Sequence, residues 1–213
     1  MVVHSGEGSM IRTLTFIVAL TVAAPAGAQD FDDTVYYRVS GVAADDSLNV
    51  RLSPDGSSEI LGQLAHDAGP VEVVQARDGW AMVTVEDQAG WVAMRYLERV
   101  DVGRHDVSDL PVGLQCGGTE PFWNVSVTDE AVEFSALGAM PEDQSFDVEH
   151  IARAHSIGFP AWFDLSDGAS AWFEPRMCSD GMSEIAHGWT AHIVIEAETG
   201  PYLYSGCCRL PMD

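Results

Sequence analysis

Between Leu48 and Leu97 the apolar residues come in short runs, and Gly, Pro and Asp separate those runs at hairpin distances. Val71, Val73, Met82, Val83 and Val85 alternate imperfectly with polar neighbours, the period of a strand with one buried face. A segment punctuated in this way predicts a small all-β unit. Gly79 and Gly90 each precede a tryptophan, which predicts turns of positive φ just ahead of strands that carry a large ring. Trp80 and Trp91 then have two alternative tasks: to fill a core too small to close otherwise, or to stand as a platform for a ligand.

The order of the punctuation narrows the reading. Leu48-Asn49-Val50-Arg51-Leu52-Ser53-Pro54 is followed by Glu59-Ile60-Leu61-Gly62, Gly79-Trp80-Ala81-Met82-Val83, Gly90-Trp91-Val92 and Tyr96-Leu97. The series resembles the bacterial SH3-like (SH3b) domain, with its pattern L-N-V-R-x-x-P, I-x-G, G-W-x-x-V, G-W-V and Y-L. That resemblance implies a binding module of the cell envelope, often for the peptide part of the wall polymer, and no catalysis. Asn49 and Arg51 lie on the signature strand, and Trp80, Trp91 and Tyr96 are expected to surround its groove. The Arg51 guanidinium is expected to clamp a ligand carboxylate at two points; its structural alternative is an ion pair with Asp45 or Asp46.

The start of the chain points to a compartment. Arg12, a largely apolar run from Leu14 to Ala24 and Ala26-Gly27-Ala28 have the layout of a secretory signal peptide. Cleavage near Ala28 predicts a periplasmic or secreted product starting at Gln29, with Met1 to Ser9 as an upstream extension. The run is too short to span a bilayer, so a membrane-spanning protein is not expected. Removing residues 1–28 takes away one acid, Glu7, and one base, Arg12, so the net charge stays at -23. Every remaining cation is arginine. Such a charge argues against nucleic acid and anionic lipid surfaces as partners, because both are repelled.

The expected domains are an SH3b unit over 29–100, a polar linker over 101–113 and a cysteine-bearing β domain over 114–213. In the last, Trp123, Val125 and Val127 alternate with polar residues and Val132 and Phe134 resume the pattern, which predicts a hairpin. Ala161 to Leu165 and Ser170 to Phe173 flank an Asp167-Gly168 turn, and Trp189 to Ile195 and Tyr202 to Cys208 read as further strands. Asp147 to Ser156 reads as a helix with Val148, Ile151 and Ala152 as its apolar face. The fold class expected is all-β: an SH3-like small barrel followed by a second antiparallel barrel or sandwich held by disulfides.

All four cysteines, Cys116, Cys178, Cys207 and Cys208, lie in this second half, as expected of a disulfide framework in an oxidising compartment. Three pairings are open, and the vicinal Cys207–Cys208 pair is the least favourable. On one strand those two point to opposite faces, one bridging across the core to Cys178 and the other outward to Cys116. The competing chemistry is a soft-metal site built from Met177, Cys178, Met182 and His187, but no Cys-x-x-Cys or Met-rich repeat accompanies it, and no metal or other cofactor is expected. The strings Cys116-Gly117-Gly118-Thr119-Glu120-Pro121-Phe122-Trp123, Cys178-Ser179-Asp180-Gly181-Met182-Ser183 and Gly206-Cys207 resemble a family of proteobacterial envelope domains without an established activity, with Glu184 where that family has Asp. Glu120, Trp123 and Asp180 are its motif residues here. Glu120 and Asp180 are read either as an acid/base pair or as carboxylates capping turns beside Pro121 and Gly181.

The function expected is therefore non-catalytic binding of cell-wall peptide or an envelope protein. One alternative is an inhibitor or sensor of an envelope enzyme. Another is a Cys/His wall peptidase using Cys116 with His187 or His192, which Pro121 and the strand after it disfavour, since such a nucleophile starts a helix.

Overall fold

The computed structural model describes residues 1–2, 35–137, 143–155 and 158–210; the expected signal segment from Met10 to Ala28 lies outside them. Sixteen strands and two single 3-10 turns make up the described chain. None of its helices is long and apolar enough to cross a membrane.

Eight strands form the N-terminal unit: β1 Val35–Val39, β2 Ser47–Arg51, β3 Ile60–Ala65, β4 Val71–Val73, β5 Gln75–Arg77, β6 Trp80–Val85, β7 Gln88–Ala93 and β8 Leu97–Arg99. They make two sheets, β4-β1-β8 and β3-β2-β7-β6-β5. Val50, Val71, Val73, Ala81, Val83 and Val92 are fully buried between them. Gly79 has the positive φ, 80°, that the turn before Trp80 requires. Gly90 does not. It is glycine because a Cβ there would overlap Val50 and press on the Arg51 carbonyl oxygen, so strand packing rather than a turn selects it.

The C-terminal unit is a closed barrel of eight antiparallel strands: β9 Gln115–Thr119, β10 Phe122–Val127, β11 Ala131–Ala136, β12 Gln144–Arg153, β13 Ala161–Leu165, β14 Ser170–Cys178, β15 His187–Ile195 and β16 Tyr202–Arg209. Each strand pairs with the next in sequence, and β16 returns to β9. Eight strands leave an interior that side chains can fill, and Phe146, Phe163, Phe173, Trp189, Ile193 and Ile195 fill it. The β13–β14 turn has φ 58° at Asp167 and 74° at Gly168, the two positive values a tight hairpin of this twist needs. Of the helix expected over 147–156, Ser156 lies outside the described residues and residues 147–153 are instead part of strand β12. A bulge between Val148 and His150 shifts its alternation by one residue, and the shifted pattern mimics the spacing of a helix face.

The 101–113 stretch is anchored to the large barrel. Leu110 is in the barrel core, the Val107 and Ser108 amides donate to the Asp129 carboxylate at 2.8 and 3.1 Å, and Arg153 pairs with Asp109 at 2.8 Å. Two disulfides, Cys116–Cys208 and Cys178–Cys207, use all four cysteines. Cys207 and Cys208 do face opposite ways, but with the reverse assignment to the one expected: Cys208 points inward to Cys116 in the core, and Cys207 points outward to Cys178. The outward direction follows from Trp189↔Cys208, a pairing that puts Cys208 in register with an inward-facing tryptophan.

The two units meet through buried polar groups. Trp189 Nε1 donates to the Tyr36 hydroxyl at 3.1 Å, that hydroxyl donates to Glu72 Oε1 at 3.2 Å, and the Gly188 amide donates to Glu72 Oε2 at 3.2 Å. Burial pushes the Glu72 carboxyl up to about 7, against the stabilising amides of Gly188 and Leu210 and the Arg209 charge. Burial likewise raises the Tyr36 hydroxyl. Beside this contact, the segment between β14 and β15 lies along β6 and β7: the Ala89 amide donates to the Glu184 carbonyl at 2.7 Å, and the Thr84 hydroxyl to the Ala186 carbonyl at 2.9 Å.

Candidate functional site

In the small barrel, Asn49 and Arg51 on β2, Trp80 at the start of β6 and Tyr96 in the turn before β8 line one cavity of about 560 Å³. Gly41, Asp46, Gly56 and Arg95 complete its rim. Four of the five groove residues expected from the sequence are thus brought together. Trp91 is not among them: it is buried, 5% exposed, with the Arg77 guanidinium 4.5 Å above its ring. Trp80 is half-buried and lines the cavity. Arg51 makes neither of the expected ion pairs with Asp45 or Asp46. Its Nη1 donates to the Ser58 carbonyl at 2.7 Å, which ties the 52–59 loop to β2 and holds the guanidinium at the cavity wall. Asn49 Oδ1 accepts a bond from Gln63 Nε2 at 2.9 Å. The Arg95 guanidinium sits 4.7 Å from the Tyr96 ring centre, so the groove has two arginines beside two aromatic rings. Arg95 was legible only in retrospect: it stands next to Tyr96 of the Y-L signature, and no spacing rule marks it.

The three motif strings of the second half converge on another place. Gly117, Gly118, Thr119, Glu120 and Trp123, then Cys178 to Met182, then Ser205 to Cys207 line a cavity of about 390 Å³. An adjoining cavity of about 330 Å³ is lined by Glu120, Pro121, Trp123 and Tyr202 to Ser205. Trp123 is 2% exposed and lies inside the barrel against Phe134 and Tyr204, at centroid distances of 6.2 and 5.9 Å. Its indole explains Gly118, where a Cβ would overlap the ring, while a Cβ on Gly206 would collide first with the Gly117 carbonyl of the facing strand and then with that ring. Asp180 caps its own turn, accepting from the Met182 and Ser183 amides at 3.0 and 2.8 Å and from the Ser183 hydroxyl at 2.9 Å. The Ser183 amide first, then the other donors, hold its carboxyl below the usual range. Thr119 Oγ1 donates to the Asp180 carbonyl at 3.1 Å, so this turn is tied to β9. Glu120, also expected as a capping carboxylate, is exposed and has no hydrogen-bond or ion-pair partner among the described residues.

The groups that a Cys/His peptidase would need are placed differently. Cys116 is bonded to Cys208 in the core. His187 has both ring nitrogens buried without a hydrogen-bond partner, and burial, then the Arg209 charge, lowers its pKa. His192 faces outward, stacked on Trp172 at 4.8 Å, and its pKa is lowered by burial. Among the described residues, Glu149, His150 and Asp164 offer three metal-ligand atoms within 4.8 Å of one another, on an exposed part of β12 and β13. Exposed groups of this kind are ordinary on so acidic a chain, and no second feature around them points to an ion.

Two small antiparallel sheets packed on one core, with an aromatic-lined cavity beside the 52–59 loop, agree with an SH3-type domain. Residues 46–98 match the family model of the bacterial SH3 domain, so the N-terminal half carries such a domain. Comparison with curated proteins and with solved structures gives no match.

Proposed function

We propose that this protein is a non-catalytic binding protein of the cell envelope, exported by the leader that ends near Ala28, whose bacterial SH3 domain docks on the peptide of the wall polymer. One observation carries this reading: Asn49, Arg51, Trp80 and Tyr96 line a single cavity, with Arg95 beside them. Two arginines in the groove of a chain with net charge -23 favour a ligand that brings carboxylates, and wall peptides bring several. The disulfides agree with an oxidising compartment outside the cytoplasm.

The test is co-sedimentation of the full chain with purified wall sacculi, with wild type compared to Arg51→Ala and Trp80→Ala. Loss of a charge-assisted contact or of an aromatic platform is expected to weaken binding about tenfold or more, with circular dichroism unchanged. Equal sedimentation of all three proteins would remove the groove from the reading. Release of soluble muropeptides during the same incubation would show that the protein cleaves the wall rather than only binding it.

A further inference from the structure

The ladder that closes the large barrel is short. β16 and β9 pair only at Arg209↔Gln115, Cys208↔Cys116 and Cys207↔Gly117, although β9 runs on to Thr119 and β16 reaches back to Tyr202. The register stops where the Trp123 indole lies over Gly118 and Gly206. Past that point the wall of the barrel has a notch, formed by the two cavities that share Glu120, Trp123 and Ser205.

The chemistry of the notch is one-sided. Among the described residues, no arginine, lysine or histidine lines either cavity, and the carboxylates there are Glu120 and Asp180. Asp180 is saturated by three donors of its own turn. Glu120 accepts no hydrogen bond from any described residue and is exposed. Around it stand Pro121, Tyr202, Leu203 and Met182, of which Leu203 and Met182 are each 64% exposed. A negative chain repels an anion from this place, and a neutral apolar ligand would desolvate Glu120 and leave it unpaired, which is costly. A cation on an aliphatic stem satisfies both parts, through a charge-assisted bond to the carboxylate and apolar contact with the rim.

We propose that the notch between β9 and β16 is a second binding site, for an alkyl ammonium group of the lysine side-chain type, with the ammonium at Glu120 and its methylene stem against Leu203, Tyr202 and Pro121. The site goes beyond the SH3 groove and selects the opposite charge. A peptide that carries both carboxylates and a side-chain amine has one half for each.

The test is an amide-resolved NMR titration of the full chain with Nα-acetyl-lysine methylamide and, in parallel, the norleucine analogue, which keeps the stem and lacks the charge. The lysine compound is expected to shift the Gly118, Glu120 and Gly206 amides saturably. The norleucine compound is expected to bind about tenfold more weakly or worse, and Glu120→Gln to erase that difference. Glu149→Gln, an exposed acid on β12, controls for general attraction to the negative surface and is expected to change nothing. Added salt is expected to weaken the lysine compound alone. Equal binding of the two compounds, a Glu120→Gln protein that binds like wild type, or shifts confined to amides around Arg51 and Trp80 would each overturn the proposal. The shifted amides also separate the two readings, since failure at the notch and failure at the groove appear on different residues.

Discussion

Trp123 shows how a single side chain dictates its neighbours. Its ring lies against Gly118 of β9, and at Gly206 of β16 it joins the Gly117 backbone in excluding a side chain. Gly118→Ala is therefore expected to destabilise the chain by about 1–3 kcal/mol, the usual range for overpacking, in urea unfolding. Gly56→Ala, where a new Cβ meets nothing within 4 Å, is expected to be neutral within about 0.5 kcal/mol. Equal effects would show that Trp123 shifts aside at little cost. At this scale the sequence was informative about residue identity and less so about direction. Trp80 and Trp91 follow identical Gly-Trp signals, yet one faces the groove and the other is covered by Arg77, a contact set by the β5–β6–β7 register rather than by anything local. The carboxylate of Asp180 was legible as a turn cap, because its hydrogen bonds are to the residues just after it.

The strands of the large barrel are legible in the sequence wherever alternation is regular, as in β10, β15 and β16, and are hidden where a bulge breaks it. In β12 the shift between Val148 and His150 puts Val148 and Ile151 against the same core at a spacing of three. A strand signal disguised in this way needs the partner strand to decode it. The disulfides belong to the same scale. Cys116–Cys208 joins the first and last strands with a separation of 92 residues, and Cys178–Cys207 one of 29. Restriction of the unfolded chain makes the longer bridge worth more, about 4–5 against 3–4 kcal/mol in the loop-entropy account. Paired Cys→Ala removal of Cys116–Cys208, which also empties a core position, is expected to lower the urea midpoint further than removal of Cys178–Cys207. The reverse order would mean that native-state contacts around Cys178, not chain entropy, set the balance.

At the level of the whole molecule, the two units share a buried ionisable group that no sequence pattern marks, since Glu72 lies among valines on a short strand and its partners come from β1 and β15. Its folded pKa, about 7, is raised above the ordinary 4.5 by burial. A carboxyl shifted in that direction contributes stability that is complete below the unfolded value and is lost as pH rises through the folded one. Unfolding free energy is therefore expected to fall between about pH 4.5 and 7 by an amount on the order of 1–3 kcal/mol. The carboxyls held low in this chain, Asp129 and Asp180 among them, act below that window. Glu72→Gln is expected to flatten the profile, measured by urea unfolding at several pH values. A slope that survives the substitution would assign it to the general repulsion of the acidic surface. Tyr36, Arg209 and Arg104 are the other ionisable groups that act on this contact.

The nesting of the bridges has a consequence for how the molecule is made. A growing chain exposes Cys116 long before either of the last two cysteines exists, and the first thiol it can meet is that of Cys178, which is not its partner. Oxidation in order of appearance thus produces a wrong bridge, and only exchange after the arrival of Cys207 and Cys208 corrects it, at the slow rate of thiol–disulfide rearrangement. In an oxidising compartment this order of appearance is expected to make disulfide exchange, rather than strand pairing, the slow step of maturation. Trapping of thiols during oxidative refolding is expected to reveal a Cys116–Cys178 species early, and a disulfide isomerase to shorten its life.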